Sequence, residues 1–316
     1  QGCNVDLHYV LDRPHLNDGA RISRIKPRYN PDVNEWWLCD EGRYGFDWVD
    51  RARLTKVRGP ATEAADSVDS SWEQALTMIS AALSAAGSPG EEGGVRIGVI
   101  ASAQLTNEDL FLIRQIFQDA LGAQVTASVP EEPGSCDDFL IKADKNPNTR
   151  GATLVGLLGP DVPGAEQLVD EAIEGNLDVL WVFGHDLVKL FGEEKVRQLS
   201  EKLPLFVFSG TNDNSTVPLA QWVLPSAAYV EKDGTFVNCH GRLQRIGRVF
   251  GPLANSREDW RILLELAEKL DLPFEWKEVE EIFAGLAESL APFKGLSYEI
   301  IGAEGVEVAA EGIALS

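Results

Sequence analysis

Val95-Arg96-Ile97-Gly98-Val99-Ile100, followed shortly by Asn107-Glu108-Asp109-Leu110-Phe111-Leu112-Ile113-Arg114-Gln115-Ile116-Phe117-Gln118-Asp119-Ala120-Leu121, decides the fold class. The first run is short, apolar and rich in β-branched residues, as a strand buried on both faces is. The second puts Leu110, Ile113, Ile116, Phe117 and Ala120 on one helical face. A strand followed by an amphipathic helix is half of a β-α-β unit. The alternation continues downstream. Strand-like runs occupy Thr153–Leu158, Val179–Phe183, Leu205–Phe208 and Trp222–Leu224, with helical stretches at Ala165–Glu174 and Glu193–Glu201. The pattern predicts an α/β protein with a Rossmann-like, mostly parallel sheet and helices on both faces. Several runs end in turn residues, as in Leu158-Gly159-Pro160, Phe183-Gly184-His185 and Phe208-Ser209-Gly210. In open sheets of this kind the carboxyl ends of the strands form the ligand crevice.

Outward from this block, Ser71 reads as the N-cap of a helix from Trp72 to about Ala86, with a Gly/Pro/Glu loop over Gly87–Gly94. Glu258–Leu270 turns Trp260, Ile262, Leu263, Leu266 and Leu270 inward, and Val279–Leu290 is a further helix. Upstream, residues 1–58 are basic for this chain and rich in aromatics. Val5–Val10 and Arg21–Lys26 alternate like strands, and Asn30-Pro31-Asp32-Val33-Asn34 is turn chemistry. Trp36-Trp37-Leu38-Cys39-Asp40-Glu41-Gly42-Arg43-Tyr44-Gly45 follows. A small β-meander closed by Cys3 and Cys39 fits, and so little core calls for a staple such as a metal centre. The expected division is 1–58 for this unit, 59–292 for the α/β domain with a small polar linker over 59–71, and 293–316 for an extended surface tail.

The chain has 316 residues and a formal net charge of -22. Such a charge repels phosphate backbones, which argues against nucleic acid as a partner. No run of eighteen apolar residues is present, so no direct membrane span is expected. Four cysteines in this length are no disulfide scaffold and point to a reducing compartment. The chain opens on Gln1 without a signal peptide, as a piece of a longer protein would.

Arg24-Ile25-Lys26-Pro27-Arg28-Tyr29-Asn30-Pro31-Asp32-Val33-Asn34-Glu35-Trp36-Trp37-Leu38-Cys39-Asp40-Glu41-Gly42-Arg43-Tyr44-Gly45 resembles the iron–sulfur segment of the molybdopterin oxidoreductase superfamily. Glu231-Lys232-Asp233-Gly234-Thr235-Phe236-Val237-Asn238, Gly241-Arg242-Leu243-Gln244-Arg245 and Ser256-Arg257-Glu258-Asp259-Trp260 also resemble that superfamily. Ile97–Ile100, Leu105–Glu108 and Asp144–Gly151 are similar to the G-type subunit family of bacterial NADH:quinone oxidoreductase, respiratory complex I. The resemblance covers most of residues 1–270.

It implies a [4Fe–4S] cluster held by Cys-x2-Cys-x3-Cys and a fourth cysteine about thirty residues on, all as thiolates. Cys3 and Cys39 match the third and fourth metal ligands, and the first two would lie upstream of Gln1. The implied role is iron–sulfur electron transfer and scaffolding in the peripheral arm of a membrane-bound complex. The implied place is the cytoplasmic side of the inner membrane, beside other subunits of a multi-subunit NADH-oxidising complex. An alternative is part of a molybdopterin-dependent formate dehydrogenase or an NAD-linked hydrogenase or dehydrogenase complex. No catalytic residue is expected in this chain.

Other candidates weigh against molybdenum chemistry here. Glu41 stands where catalytic relatives often carry lysine. The loop matching their metal-ligand loop, Val125–Gly134, offers Thr126 and Ser128 but no cysteine, and Cys136 has no basic partner. Cys239 and His240 are adjacent and so point apart. His185 reads as a loop histidine after a strand, and His8 and His15 lie near Cys3 in sequence. Lys232, Arg242, Arg245 and Arg257 read as partners of the protein's own acids, or as the remnant of a pterin-phosphate site. No Gly-x-Gly-x-x-Gly supports NAD binding.

Overall fold

A computed structural model describes residues 2–12, 14–17, 19–60, 68–84, 94–130 and 134–308. The loop expected over 87–94 lies outside these residues except for Gly94, as do positions 61–67 of the linker and the last residues of the tail.

The N-terminal unit is a hairpin, β1 (Val5–Tyr9) antiparallel to β2 (Ile22–Pro27), followed by a short helix α1 (Asp40–Tyr44). Next come β3 (Val57–Gly59), β4 (Val68–Ser70), α2 (Trp72–Ser84), β5 (Ile97–Ile100), α3 (Asn107–Ile113) and β6 (Gln124–Thr126). The middle of the chain supplies α4 (Thr149–Val155), α5 (Ala165–Ile173), β7 (Val179–Phe183), α6 (Leu187–Phe191), α7 (Glu193–Lys202), β8 (Leu205–Gly210) and β9 (Trp222–Pro225). The last part holds β10 (Gly234–Val237), β11 (Arg242–Ile246), α8 (Asp259–Lys269), α9 (Val279–Ser289), α10 (Tyr298–Ile301) and β12 (Val306–Glu307). None of these helices is long and apolar enough to cross a membrane.

The strands of the main sheet run in the order β4-β3-β9-β8-β7-β5-β6. Pairing is parallel from β9 through β6, and β3 and β4 add antiparallel at the far edge. The parallel strands alternate between two cores, as a period of two requires. Val179, Trp181, Phe183, Val207 and Leu224 face the core under α2, α3, α8 and α9. Leu180, Val182, Phe206, Phe208 and Val223 face the core under α5 and α7. Helices therefore cover both faces, as expected. The indole of Trp181 is satisfied by the Ser209 hydroxyl at 2.8 Å, so this large ring is buried without an orphaned donor.

The helix expected over Asn107–Leu121 is α-helical through Ile113 and then widens to a π-helix over Arg114–Ala120. Its start is a reciprocal capping box. Thr106 Oγ1 accepts from the Asp109 amide, and the Asp109 carboxylate accepts from the Thr106 amide.

Three expectations need correction. Thr153–Leu158 is not a strand: it begins inside α4, which Gly156 ends in a left-handed conformation at φ +88°. A short apolar run has no periodicity that separates strand from helix, and Thr153 returns its hydroxyl to the Thr149 carbonyl as helical threonines do. Val57–Gly59, expected at the end of the 1–58 unit, and Val68–Ser70, expected in the linker, are instead strands of the main sheet. Residues 293–308 are not an extended surface tail. Phe293, Tyr298, Ile301 and Val308 are buried in the main core, and β12 completes a three-stranded sheet with β10 and β11. Apolar residues at irregular spacing gave no period to read, yet they fill the space beside α3 and α9.

Candidate functional site

The sheet places its topological switch point at β5, which has β6 on one side and β7 on the other. The crevice lies beyond the carboxyl ends of β5, β7 and β8. Gly184 turns there with φ +74°, which delivers His185 across the gap to the Ala101 carbonyl. A carbonyl can only accept, so Nε2 carries the hydrogen of this 3.0 Å bond. Burial lowers the imidazole to about 4, which keeps the ring neutral. Asp186 caps α6 and accepts the Thr216 hydroxyl at 3.0 Å.

The N-terminal unit covers the end of β8. Leu54 donates its amide to the Thr211 carbonyl at 2.9 Å, and Asp213 donates to the Ala52 carbonyl at 2.7 Å. Asn212 spans from there to the carbonyls of Trp48 and Arg51. The protein's own groups thus occupy this part of the crevice.

Beneath the cover is a buried ionic seam built by consecutive residues. Glu231 receives Arg53 on both carboxylate oxygens, at 3.0 and 2.7 Å, and Arg21 at 2.6 Å. Burial pushes Glu231 up, but Arg53, the Ala228 amide and Arg21 outweigh it, and the carboxyl sits below its usual range. Lys232, equally buried, points the other way and donates to Asp109 at 2.8 Å and Asp259 at 2.9 Å. Burial works against its charge, but the two carboxylates hold it protonated. One dipeptide thereby ties the N-terminal unit to α3 and α8. Gly234 is required just after it, because a Cβ there would lie 2.6 Å from Thr106 Cγ2. Thr235 then donates its amide and hydroxyl to Glu108, each at 2.9 Å, and the Tyr298 hydroxyl adds a third bond at 2.9 Å. Burial nonetheless raises Glu108 to about 7.

Cys3 and Cys39 lie beside the small apolar cluster of the N-terminal unit. Cys39 is the N-cap of α1 and its Sγ accepts from the Gly42 amide at 3.4 Å. A Cβ on Gly42 would lie 2.7 Å from Leu38 Cδ1, so Leu38 would have to shift. Cys3 packs on the small apolar cluster formed by Ile22, Ile25, Leu38 and Val49. Burial raises the Cys3 thiol, and the nearby thiols of Cys39 and Cys239 oppose its ionisation further. Cys239 therefore belongs to this region, although its position beside His240 in the sequence gave no sign of it. Gly2 explains the approach: a Cβ on it would lie 2.5 Å from Asn238 Cβ. Cys136 is exposed and stands apart from any such packing. Among the described residues no group of three or more His, Cys, Asp or Glu side chains has the geometry to hold a metal ion by itself.

The remaining candidates have partners of their own. Lys145 reaches Glu41 at 3.4 Å and the Ser135 carbonyl at 2.8 Å. Arg242 pairs with Asp32 and with the carbonyls of Glu304 and Gly305. Arg245 lies over the Tyr298 ring, and Arg257 stacks on Trp72 and pairs with Glu265. Thr126 uses its hydroxyl to accept from the Ser128 amide at 2.9 Å. His8 lies 3.4 Å from Arg24, and His15 is exposed.

Residues 142–269 match the molybdopterin oxidoreductase family. The chain is 28% identical over 181 residues to the probable oxidoreductase YjgC of Bacillus subtilis, a match that covers 48% of the chain and 18% of that protein. It is 31% identical over 170 residues to the F420-dependent formate dehydrogenase subunit alpha of Methanocaldococcus jannaschii, covering 52% and 23%. Against the NADPH-Fe(3+) oxidoreductase subunit alpha of Geobacter sulfurreducens it is 33% identical over 128 residues, covering 39% and 15%. These matches span about a fifth of the relatives' length. The fold is similar to that of acetylene hydratase from Pelobacter acetylenicus, with a TM-score of 0.56 at 10% identity over 94% of this chain and 71% of that one.

Two groups are implied by this family. For a cluster, Cys3 and Cys39 fit as two thiolate donors, half of the four that a [4Fe–4S] centre takes. For a pterin pyrophosphate, Lys232 does not fit, because it is buried between Asp109 and Asp259; Arg242 and Arg257 are paired with Asp32 and Glu265, and Arg245 is exposed beside the Tyr298 ring.

Proposed function

We propose that the chain is part of the molybdopterin-family subunit of a multi-subunit oxidoreductase of the formate dehydrogenase kind. In it Cys3 and Cys39 hold one side of an iron–sulfur centre, and the α/β domain serves as the scaffold. A cluster bound there supplies one-electron transfer. The observation that carries the reading is that Cys3 packs on the apolar cluster that includes Leu38, next to Cys39, in a unit locked by Glu231 and Lys232 onto an α/β domain whose residues 142–269 match the molybdopterin oxidoreductase family. Two of the relatives are named as alpha subunits of formate and NADPH-Fe(3+) oxidoreductases, which supports partner subunits here as well.

Respiratory complex I is the second reading, with NADH-oxidising partner subunits and a peripheral place on the cytoplasmic side of the inner membrane. One observation favours it. Glu41, beside Cys39, puts a carboxylate where catalytic relatives often have lysine, and Lys145 comes from another loop to pair with it.

The test is to purify the full protein anaerobically with its partners and to measure iron, molybdenum and pterin fluorescence after denaturation. Iron with stoichiometric molybdenum and pterin is the expected result. Iron without molybdenum moves the assignment to complex I, and a preparation lacking iron–sulfur absorption overturns both.

A further inference from the structure

The stretch Asn30-Pro31-Asp32-Val33-Asn34 reads as turn chemistry, and turn residues are normally exposed. Asn30 and Asn34 are instead buried, at 0% and 5% exposure. A buried primary amide is costly unless all its groups are bonded, so what they bond decides their role.

Asn34 Oδ1 accepts from the Asn4 amide at 2.8 Å. Its Nδ2 donates to the Asn4 carbonyl at 3.3 Å and to the Trp37 carbonyl at 3.0 Å. The partners fix the orientation of the amide, because an N–H needs an acceptor and the two carbonyls need donors. One side chain therefore holds both backbone groups of the residue after Cys3 and the carbonyl of the residue two before Cys39. Asn30 backs it: Nδ2 donates to Asn4 Oδ1 at 3.1 Å and to the Glu304 carbonyl at 3.0 Å. The Glu304 carbonyl arrives from the far end of the chain, between α10 and β12.

We propose that the side-chain amides of Asn4, Asn30 and Asn34 form a clasp that holds Cys3 against Cys39 as a preformed dithiol, locked in place by the Glu304 carbonyl. Asn34 is the central positioning residue. The inference rests on the reading of Cys3 and Cys39 as ligands of one centre. The physical reason for such a device is local. The apolar cluster under Cys3 is small, so packing alone leaves the approach of the two thiols loosely set. Hydrogen bonds are directional and restore the precision that ligation needs.

The test uses the 316 residues Gln1–Ser316 with Cys136→Ser and Cys239→Ser, among which only Cys3 and Cys39 then remain as cysteines. Phenylarsine oxide condenses with two thiols, releasing water and forming two arsenic–sulfur bonds, and a monothiol competitor measures how tightly the pair holds it. The parent chain is expected to bind one arsenical per molecule. Asn34→Ala is expected to weaken that binding roughly 10- to 100-fold, the range typical of groups that orient metal ligands. Asn34→Asp keeps the acceptor for the Asn4 amide but turns a carboxylate oxygen toward the Asn4 and Trp37 carbonyls, so it should weaken binding at least as far. It also serves if the alanine variant does not fold. Asn212→Ala removes another loop-bridging amide away from the thiols and should leave binding unchanged.

Unaltered binding in the Asn34 variants, equal weakening by Asn212→Ala, or no dithiol binding by the parent would each overturn the clasp. The iron content of the full protein is a separate readout. An iron-containing protein whose Asn34 variants bind arsenical normally discards the clasp and keeps the proposed function. A preformed dithiol in an iron-free protein does the reverse.

Discussion

The N-terminal unit and the α/β domain solve the problem of staying folded in opposite ways. The domain buries apolar side chains on both faces of its sheet, with rings such as Trp181, Phe206 and Phe208 fully enclosed. The N-terminal unit has Ile22, Ile25, Leu38 and Val49, and borrows Ala228 and Val230 from the domain to complete its cluster. Many of its rings face outward, among them Tyr29, Trp36, Trp37 and Tyr44. What it lacks in burial it replaces with bonded polar groups, through the Glu231–Arg53–Arg21 seam below and the asparagine amides above. Burial is nondirectional and fixes a fold, whereas hydrogen bonds and ion pairs fix distances. The region that presents the thiols is the one held by distances.

The most severe way to break the arrangement is Lys232→Ala. It leaves Asp109 and Asp259 buried without their cation and should cost about 3–5 kcal/mol in urea denaturation. Lys232→Met should recover part of that loss only if the carboxylates take up protons, which a pH series would show.

The next test sets the two regions against each other by pH. Glu108 is raised to about 7 in the folded state, above its ordinary 4.5. The stability tied to its proton is fully present below pH 4.5 and disappears as pH rises through 7, a change of roughly 3 kcal/mol. Glu108→Gln should flatten that slope. Glu231 is depressed, so its share has the opposite sign: present above its ordinary value and lost as pH falls below it. Denaturation midpoints from about pH 2 to 8 for Glu108→Gln and Glu231→Gln check both signs.

A smaller effect is expected from Asn30→Ala, which frees Asn4 Oδ1 and the Glu304 carbonyl. About 1–3 kcal/mol of stability should be lost, because these groups are withdrawn from water. Hydrogen exchange should then rise in residues 303–305 before it rises in the sheet. The smallest effect belongs to Lys145→Ala. Its pair with Glu41 is partly exposed, so the change should stay within about 0.5 kcal/mol in thermal melts. A larger loss would mean that this contact organises the Cys39 edge.

Much of the fold is legible along the chain because local periodicity and burial agree. The runs at Val179–Phe183 and Leu205–Phe208 are strands, and Asp259–Lys269 is a helix with the predicted inward face. Thr153–Leu158 was not legible, since six apolar-rich residues fit either period. Residues 293–308 were not legible either, because their burial depends on space left by α3, α9 and β11. At the candidate site the sequence singled out Cys3 and Cys39 through neighbouring residues. It gave no hint of Cys239 in the same region, nor of Asn30 and Asn34 as buried amides, because these placements join positions far apart in the chain.

By itself, then, the sequence determined the α/β class and the two-faced parallel sheet, both of which follow from short-range pattern. Only the tertiary structure decided that Glu231 and Lys232 face opposite ways to weld two units together, and that the amides of a turn reach Asn4, Trp37 and the Glu304 carbonyl near the far end of the chain at once. The physical reason is that apolar periodicity is written locally, whereas the partner of a buried polar group is chosen by whichever distant segment folds against it.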